Sequence, residues 1–304
     1  MSARGTVERP PLLGGGRSDE IVAAGARFHV GAPVVLWSDP GGYDASVQGP
    51  VFAASGPAGP RYGPGRSWAA DPASIGLAEL RDHVDLLVLH YDICGISRET
   101  FRMLQDERVL SSHFLLDVDG TIYQTLDLRD QAWHGRFTNP RSIGIEIANV
   151  GVVSPDPADD PFRKRRWYVR DGDRLRLEIP ADLGDPHLRE PGPFYSSRSQ
   201  PIRGAIHGKE WEQFDFTPEQ YRSLALLTVA LRRAFPRIAL DAPRGADGAV
   251  RTGQLSREEI DAFRGILGHL HVTTERNEPG PAFQWERYLD DVRAIEAAGA
   301  GGSR

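Results

Sequence analysis

The 304-residue chain has 36 basic and 42 acidic residues, a net charge of -6, and 40% hydrophobic against 26% charged residues. These are the proportions of a soluble globular protein able to bury a full core in one large domain or two smaller ones. They argue against nucleic acid as the main partner, and no apolar run approaches the roughly 18 residues of a membrane span.

Lys164 and Lys209 are the only lysines, and Cys94 is the only cysteine. An internal disulfide is therefore excluded, and so is a Cys₂ or Cys₄ zinc site. Any metal must be held by histidine and carboxylate. The opening "MSARGTVERPPLLGGGRSDE" lacks the continuous apolar core of a secretory signal, so the sequence as written predicts a cytoplasmic protein.

Residues 1–80 read as an irregular Gly/Pro-rich extension with room for one strand in "APVVLWSDPGGY". "HVDLLVLHY" (83–91) is a short β-branched apolar run, as expected of a strand buried on both faces. "SRETFRMLQDE" follows as a helix with Ser97 placed to cap it, and "SHFLLDVDGTIYQTL" as a hairpin turning at Asp119-Gly120. "SIGIEIANVGV" is a further strand, in which Gly144 admits a close neighbour.

A polar insertion over about 151–213 carries a second hairpin around Asp171 to Asp173. Thr217-Pro-Glu-Gln220 has the form of a capping box, and the helix it opens stops at Pro236. A charged helix from about Ser256 leads to the strand "ILGHL", and "WERYLDDVRAIEAA" closes the chain as a helix. Strands interleaved with helices predict an α/β fold, a mixed central sheet covered on both faces.

"GILGHLHVTTERNEPGPAFQW" (265–285) concentrates two histidines, acids and a Pro-Gly-Pro turn. A His-x-His pair on a strand presents both rings on one face, and a later carboxylate can return through a loop to the same point. Imidazole with carboxylate suits zinc, but surface histidines beside such turns are common.

Three stretches taken together, "LLVLHY", "SSHFLLDVDGTIYQTLDLRDQAWHGRFTNPRSIGIEIAN" and "GHLHVTTERNEPGPAFQW", resemble the type-2 N-acetylmuramoyl-L-alanine amidases, relatives of the peptidoglycan-recognition proteins. The resemblance implies one zinc amidase domain over 81–298, with the extension and most of the insertion lying outside the likeness. It implies Zn²⁺ held by His90, His269 and Glu278, the last standing where the family carries Asp or Cys, with His271 as the fallback ligand. Glu146 would be the general base and Arg276, in place of a lysine, the oxyanion stabiliser. Trp133, His134 and Asn139 would contact the substrate, peptidoglycan or a muropeptide.

The predicted reaction is hydrolysis of the amide between N-acetylmuramic acid and L-alanine. The rivals are a peptidoglycan-binding module without catalysis and an amidase for another N-acyl peptide. The missing signal leaves recycling in the cytoplasm, or release to the wall by another route, as the expected settings.

Overall fold

In the computed structural model, which describes residues 18–301, the apolar runs pair into a six-stranded mixed sheet. Its strands in chain order are β1 (Val34–Leu36), β2 (Leu86–Tyr91), β3 (Phe114–Leu116), β4 (Ile122–Gln124), β5 (Ser142–Ile147) and β6 (Gly265–Gly268). Across the sheet they run β6-β2-β5-β3-β4-β1, and only β3 and β4 are antiparallel neighbours. The helices are α1 (Leu77–His83), α2 (Ser97–Arg102), α3 (Pro218–Ala234), α4 (Arg257–Ala262) and α5 (Trp285–Gly301).

Side chains alternate across a strand, so each strand gives one set of residues to each face. Leu87 and Leu89 of β2, Phe114 and Leu116 of β3, and Ile143 and Ile145 of β5 join Leu224, Leu231, Tyr288 and Leu289 of α3 and α5 in the main core. The opposite face is divided. Leu86, Val88 and Leu267 pack on Ile260 of α4, while Leu115 and Tyr123 pack on Phe101 and Leu104. The functional residues of β2 and β5 fall between these two apolar patches.

The hairpin turns where the Asp-Gly pair predicts. The Gly120 N–H donates to the Asp117 carbonyl at 3.0 Å, and Gly120 takes φ +82°, which glycine adopts without strain. The capping box at Thr217 and Gln220 is formed in both directions, and Ser256 and Glu259 form another at the start of α4.

Three expectations are corrected. The described part of the extension is less irregular than expected: Glu20–Ala23 pairs with Ala26–His29, while the strand expected in "APVVLWSDPGGY" forms as β1 and adds in parallel to β4 as a sheet edge. Ile21 and Val34 are core residues, so apolar character outweighs the surrounding Gly/Pro composition; residues 1–17 lie outside the described residues. Ser97 is not the cap of α2. Ile96 holds that position, the Ser97 hydroxyl is buried without a partner, and a wider π-helical segment, Met103–Arg108, continues the helix.

The third concerns the insertion. Its predicted hairpin forms (Tyr168–Asp171 with Arg174–Leu177), but a second one, Ile202–Ile206 with Lys209–Gln213, turns at His207-Gly208 where both residues have positive φ. His-Gly is a weak turn signal beside Asn-Gly or Asp-Gly, and charged residues interrupt the strand pattern.

The Thr217 hydroxyl accepts from the Gln220 N–H at 3.1 Å and donates to the Val118 carbonyl at 2.8 Å, tying α3 to the hairpin. Thr217→Ala should therefore cost about 1–2 kcal/mol, read as a lower urea midpoint at unchanged m-value.

Candidate functional site

His90 and Glu146 stand opposite each other in the parallel register of β2 and β5, on the face away from α3 and α5. Their order in the sequence is remote, yet the register places His90 Nδ1 3.8 Å from Glu146 Oε1. The same parity that buries Leu87 and Leu89 on one side presents His90 on the other.

Beside them, β6 ends at Gly268 and the chain tightens into a 3₁₀ turn over His269–His271. The His-x-His pair therefore does not share a strand face, as the alternation suggests it would. His269 faces His90, ring centroids 4.5 Å apart, whereas His271 turns inward. Its Nδ1 accepts from the Gly268 N–H at 2.9 Å and its Nε2–H donates to the Arg251 carbonyl at 2.8 Å. With both nitrogens occupied, His271 is a structural residue and not a fallback ligand.

Glu278 is returned to the site by backbone packing. Its carbonyl accepts from the Leu270 N–H at 3.0 Å, and a Cβ on Gly268 would lie 2.6 Å from Pro279 Cδ and 2.8 Å from that carbonyl. Buried Gln213 fastens the Pro-Gly-Pro turn, donating to the Pro279 carbonyl at 3.1 Å and accepting from the Ala282 N–H at 3.0 Å.

His134 lies deeper than a surface substrate contact would. Its Nδ1 is 3.1 Å from His90 Nε2, and its Nε2 is 3.2 Å from the Ser142 hydroxyl. Gly144 makes this approach feasible, because a Cβ there would lie 2.5 Å from the His134 ring. Trp133 lines the same cavity. Asn139 does not: its Oδ1 accepts from the His134 and Gly135 N–H groups, so it shapes the loop instead of facing substrate.

The cavity, about 80 Å³, is lined by His90, His134, Glu146, His269, Arg276 and Glu278, with Trp133 and an apolar wall from Ile93, Met103, Leu104 and Leu110. Burial is the main force on its titrating groups. It lowers the pKa of His90 well below the usual value, helped by His269, His134 and Arg276, and lowers His269 to about 3. These imidazoles are neutral, the state in which they accept a proton or a metal. Burial, then the carboxylates of Asp92 and Glu278, pushes Glu146 well above the carboxylate range, with Arg276 opposing.

Two supporting residues escape sequence reading. Buried Asp92 accepts from the Cys94, Gly95 and Asn149 N–H groups and from the Thr100 hydroxyl, and burial raises its pKa to about 7. His207, in the unpredicted hairpin, donates from Nε2 to the Arg276 carbonyl at 2.8 Å, fixing the backbone of that arginine. Only the position of Asp92, just past the buried strand that carries His90, hints at its part. Cys94 has its thiol pKa raised by burial, consistent with an inert residue.

Among the described residues no group of three or more His, Cys, Asp and Glu side chains is drawn together as a metal site. The donor atoms are nevertheless available. His269 Nε2 and Glu278 Oε2 are buried without hydrogen-bond partners, and both residues line the cavity that His90 lines. Native proteins rarely leave such atoms unpaired, and neutral imidazole with carboxylate is a donor set that zinc accepts.

A cavity of histidine and carboxylate side chains between the two apolar patches of this face has the residue types of acid-base or metal-assisted hydrolysis. The profile of the N-acetylmuramoyl-L-alanine amidases matches residues 80–281, and the chain belongs to that family of enzymes. Among solved structures it is similar to an AmpD derivative (TM-score 0.35, 18% identity, 82% of this chain and 98% of that one). It is also similar to the amidase AmiD from E. coli in complex with anhydro-N-acetylmuramic acid-L-Ala-D-γ-Glu-L-Lys (TM-score 0.38, 16% identity, 69% and 57%). A third is the amidase LysC from Clostridium intestinale URNW (TM-score 0.33, 14% identity, 70% and 88%). No curated protein matches significantly. The family assignment rests on the profile.

Gly144→Ala should force His134 off His90, with an overpacking cost of about 1–3 kcal/mol visible as a lower melting temperature. His271 offers a pH test. Burial lowers its pKa to about 4 in the fold, against about 6.5 when unfolded. Between those values the unfolded chain binds more protons, so this group's contribution to stability falls as pH drops through the window. His271→Gln should be less stable at pH 7 but should lose less stability on acidification, its slope shallower by up to one proton.

Proposed function

We propose that the chain is a zinc-dependent N-acetylmuramoyl-L-alanine amidase that cleaves peptidoglycan or muropeptides between the sugar's lactyl group and L-alanine. The observation that carries the zinc reading is the pair of unpartnered buried atoms, His269 Nε2 and Glu278 Oε2, on the cavity shared with His90. His90, His269 and Glu278 would hold the ion, which would supply Lewis acidity toward the scissile carbonyl and toward water.

The remaining work falls to the chain's own groups. Glu146 accepts a proton from the attacking water and passes it to the departing alanine nitrogen. Burial raises its pKa, so a carboxylate at this position is a stronger base than one in water and, once protonated, a ready proton donor. The permanently charged Arg276 guanidinium stabilises the developing oxyanion. Trp133 offers a flat apolar surface to the substrate, and His134 holds the His90 ring in place.

Incubating purified zinc-loaded protein with muropeptides should release stem peptide and sugar as separate masses. Chelator should abolish turnover and added zinc restore it. Glu146→Gln should keep stoichiometric zinc and lose about 10²–10⁴-fold in rate. Full activity in that variant would remove Glu146 from the role. Intact muropeptide that is still bound would indicate a binding module, and turnover of simple N-acyl peptides alone would indicate a different amide substrate.

A further inference from the structure

A neutral imidazole has one nitrogen that donates and one that accepts, so the ring of His90 can offer the cavity either a lone pair or an N–H. Only the lone pair can hold a cation. His90 Nδ1 lies 3.8 Å from Glu146 Oε1, on the side of the ring that faces the other cavity groups. Its Nε2 meets His134 Nδ1 at 3.1 Å. From there a relay of contacts leads away from the cavity. It runs from His134 Nε2 to Ser142 Oγ at 3.2 Å, from Ser142 Oγ to Thr138 Oγ1 at 3.5 Å, and from Thr138 Oγ1 to the Gly135 carbonyl at 2.7 Å.

The far end gives the relay its direction. A carbonyl oxygen only accepts, so the Thr138 hydroxyl directs its one proton to Gly135. Ser142 must then donate to Thr138, the His134 Nε2–H to Ser142, and the His90 Nε2–H to His134 Nδ1. In this direction every one of the contacts carries a proton. The reverse direction makes fewer bonds. If Ser142 donated to His134 Nε2, no proton would lie between Ser142 and Thr138, and a His90 Nδ1–H would face Glu146 at 3.8 Å, beyond hydrogen-bond range. Ser142 and Thr138 are buried, where water does not replace an unmade bond.

We propose that His134, Ser142 and Thr138 are positioning residues that fix His90 as its Nε2–H tautomer, so that Nδ1 faces the cavity as a free lone pair. Their part is to select the nitrogen as well as to hold the ring, and Ser142 and Thr138 do so without lining the cavity. On the zinc-amidase reading, on which this role rests for its use, the lone pair receives the ion; the direction of the relay holds without it.

Long-range ¹H–¹⁵N correlation spectra of the metal-free full chain, labelled at histidine, distinguish the two tautomers of each ring. The His90 signals are those missing from His90→Asn. In the wild type, His90 and His134 should both be Nε2–H tautomers. Thr138→Val keeps the shape of the side chain and removes the hydroxyl that sets the direction, so Ser142 can turn its proton to His134 and His90 should show a mixture of tautomers. Zinc alone, titrated in competition with a chromogenic chelator, should bind about 10–100-fold more weakly to His134→Leu. His134→Asn has the same branching with an oxygen acceptor where Nδ1 stands, and should recover affinity to within about threefold of wild type.

Should His134→Leu fail to fold, the Thr138→Val spectrum decides alone. A wild-type His90 in the Nδ1–H tautomer overturns the inference, as does a Thr138→Val spectrum identical to wild type or a folded His134→Leu of undiminished zinc affinity. Nε2–H tautomers in a protein that neither binds zinc nor cleaves muropeptide would sustain the relay and refute the zinc-amidase reading.

Discussion

Everything at the site depends on the register between β2 and β5. Parallel pairing sets His90 level with Glu146, and the strand period turns both to the same face. A slip of one residue would exchange them for Leu89 or Ile145, burying the polar groups in the main core and exposing apolar ones. The core beneath the sheet therefore enforces the geometry above it: after any slip by an odd number of residues Leu87, Leu89, Ile143 and Ile145 would leave the main core.

Around that fixed pair the chain uses absent side chains as much as present ones. Gly144 gives its volume to the His134 ring, and Gly268 gives its own to Glu278 and Pro279. Buried carboxylates act in the complementary way, each collecting several backbone N–H groups from loops that would otherwise lack partners: Asp92 beneath the catalytic cavity, Asp106 for residues 51–53 and Asp119 for residues 189–190. The electrostatic result is a cavity whose imidazoles stay neutral and whose carboxyl stays easy to protonate, because little water reaches either.

What the sequence discloses follows the strength of the local signal. The apolar run at 83–91, the Asp119-Gly120 turn and the Thr217 capping box each name their element, because periodicity, turn chemistry and capping act over a few residues. The positions of His90, Glu146 and His269 are readable through the family likeness. Features that depend on distant partners are not. The inward turn of His271 needs the Arg251 carbonyl, the depth of His134 needs Gly144, and the place of β1 needs an unpaired edge on β4. Asn139 shows the same limit in reverse, since a residue type suited to substrate contact is engaged by its own loop.

Gln213 closes the hairpin of the insertion and, with the same amide, clasps the Pro-Gly-Pro turn that carries Glu278. The insertion is thus no ornament that evolution or an engineer could trim back to a shorter family member. Its last strand is a splint for the carboxylate arm of the site, and its turn, through His207, braces the arginine beside it. Shortening this segment would remove the amide that holds the Pro-Gly-Pro turn and so loosen the arm that carries Glu278.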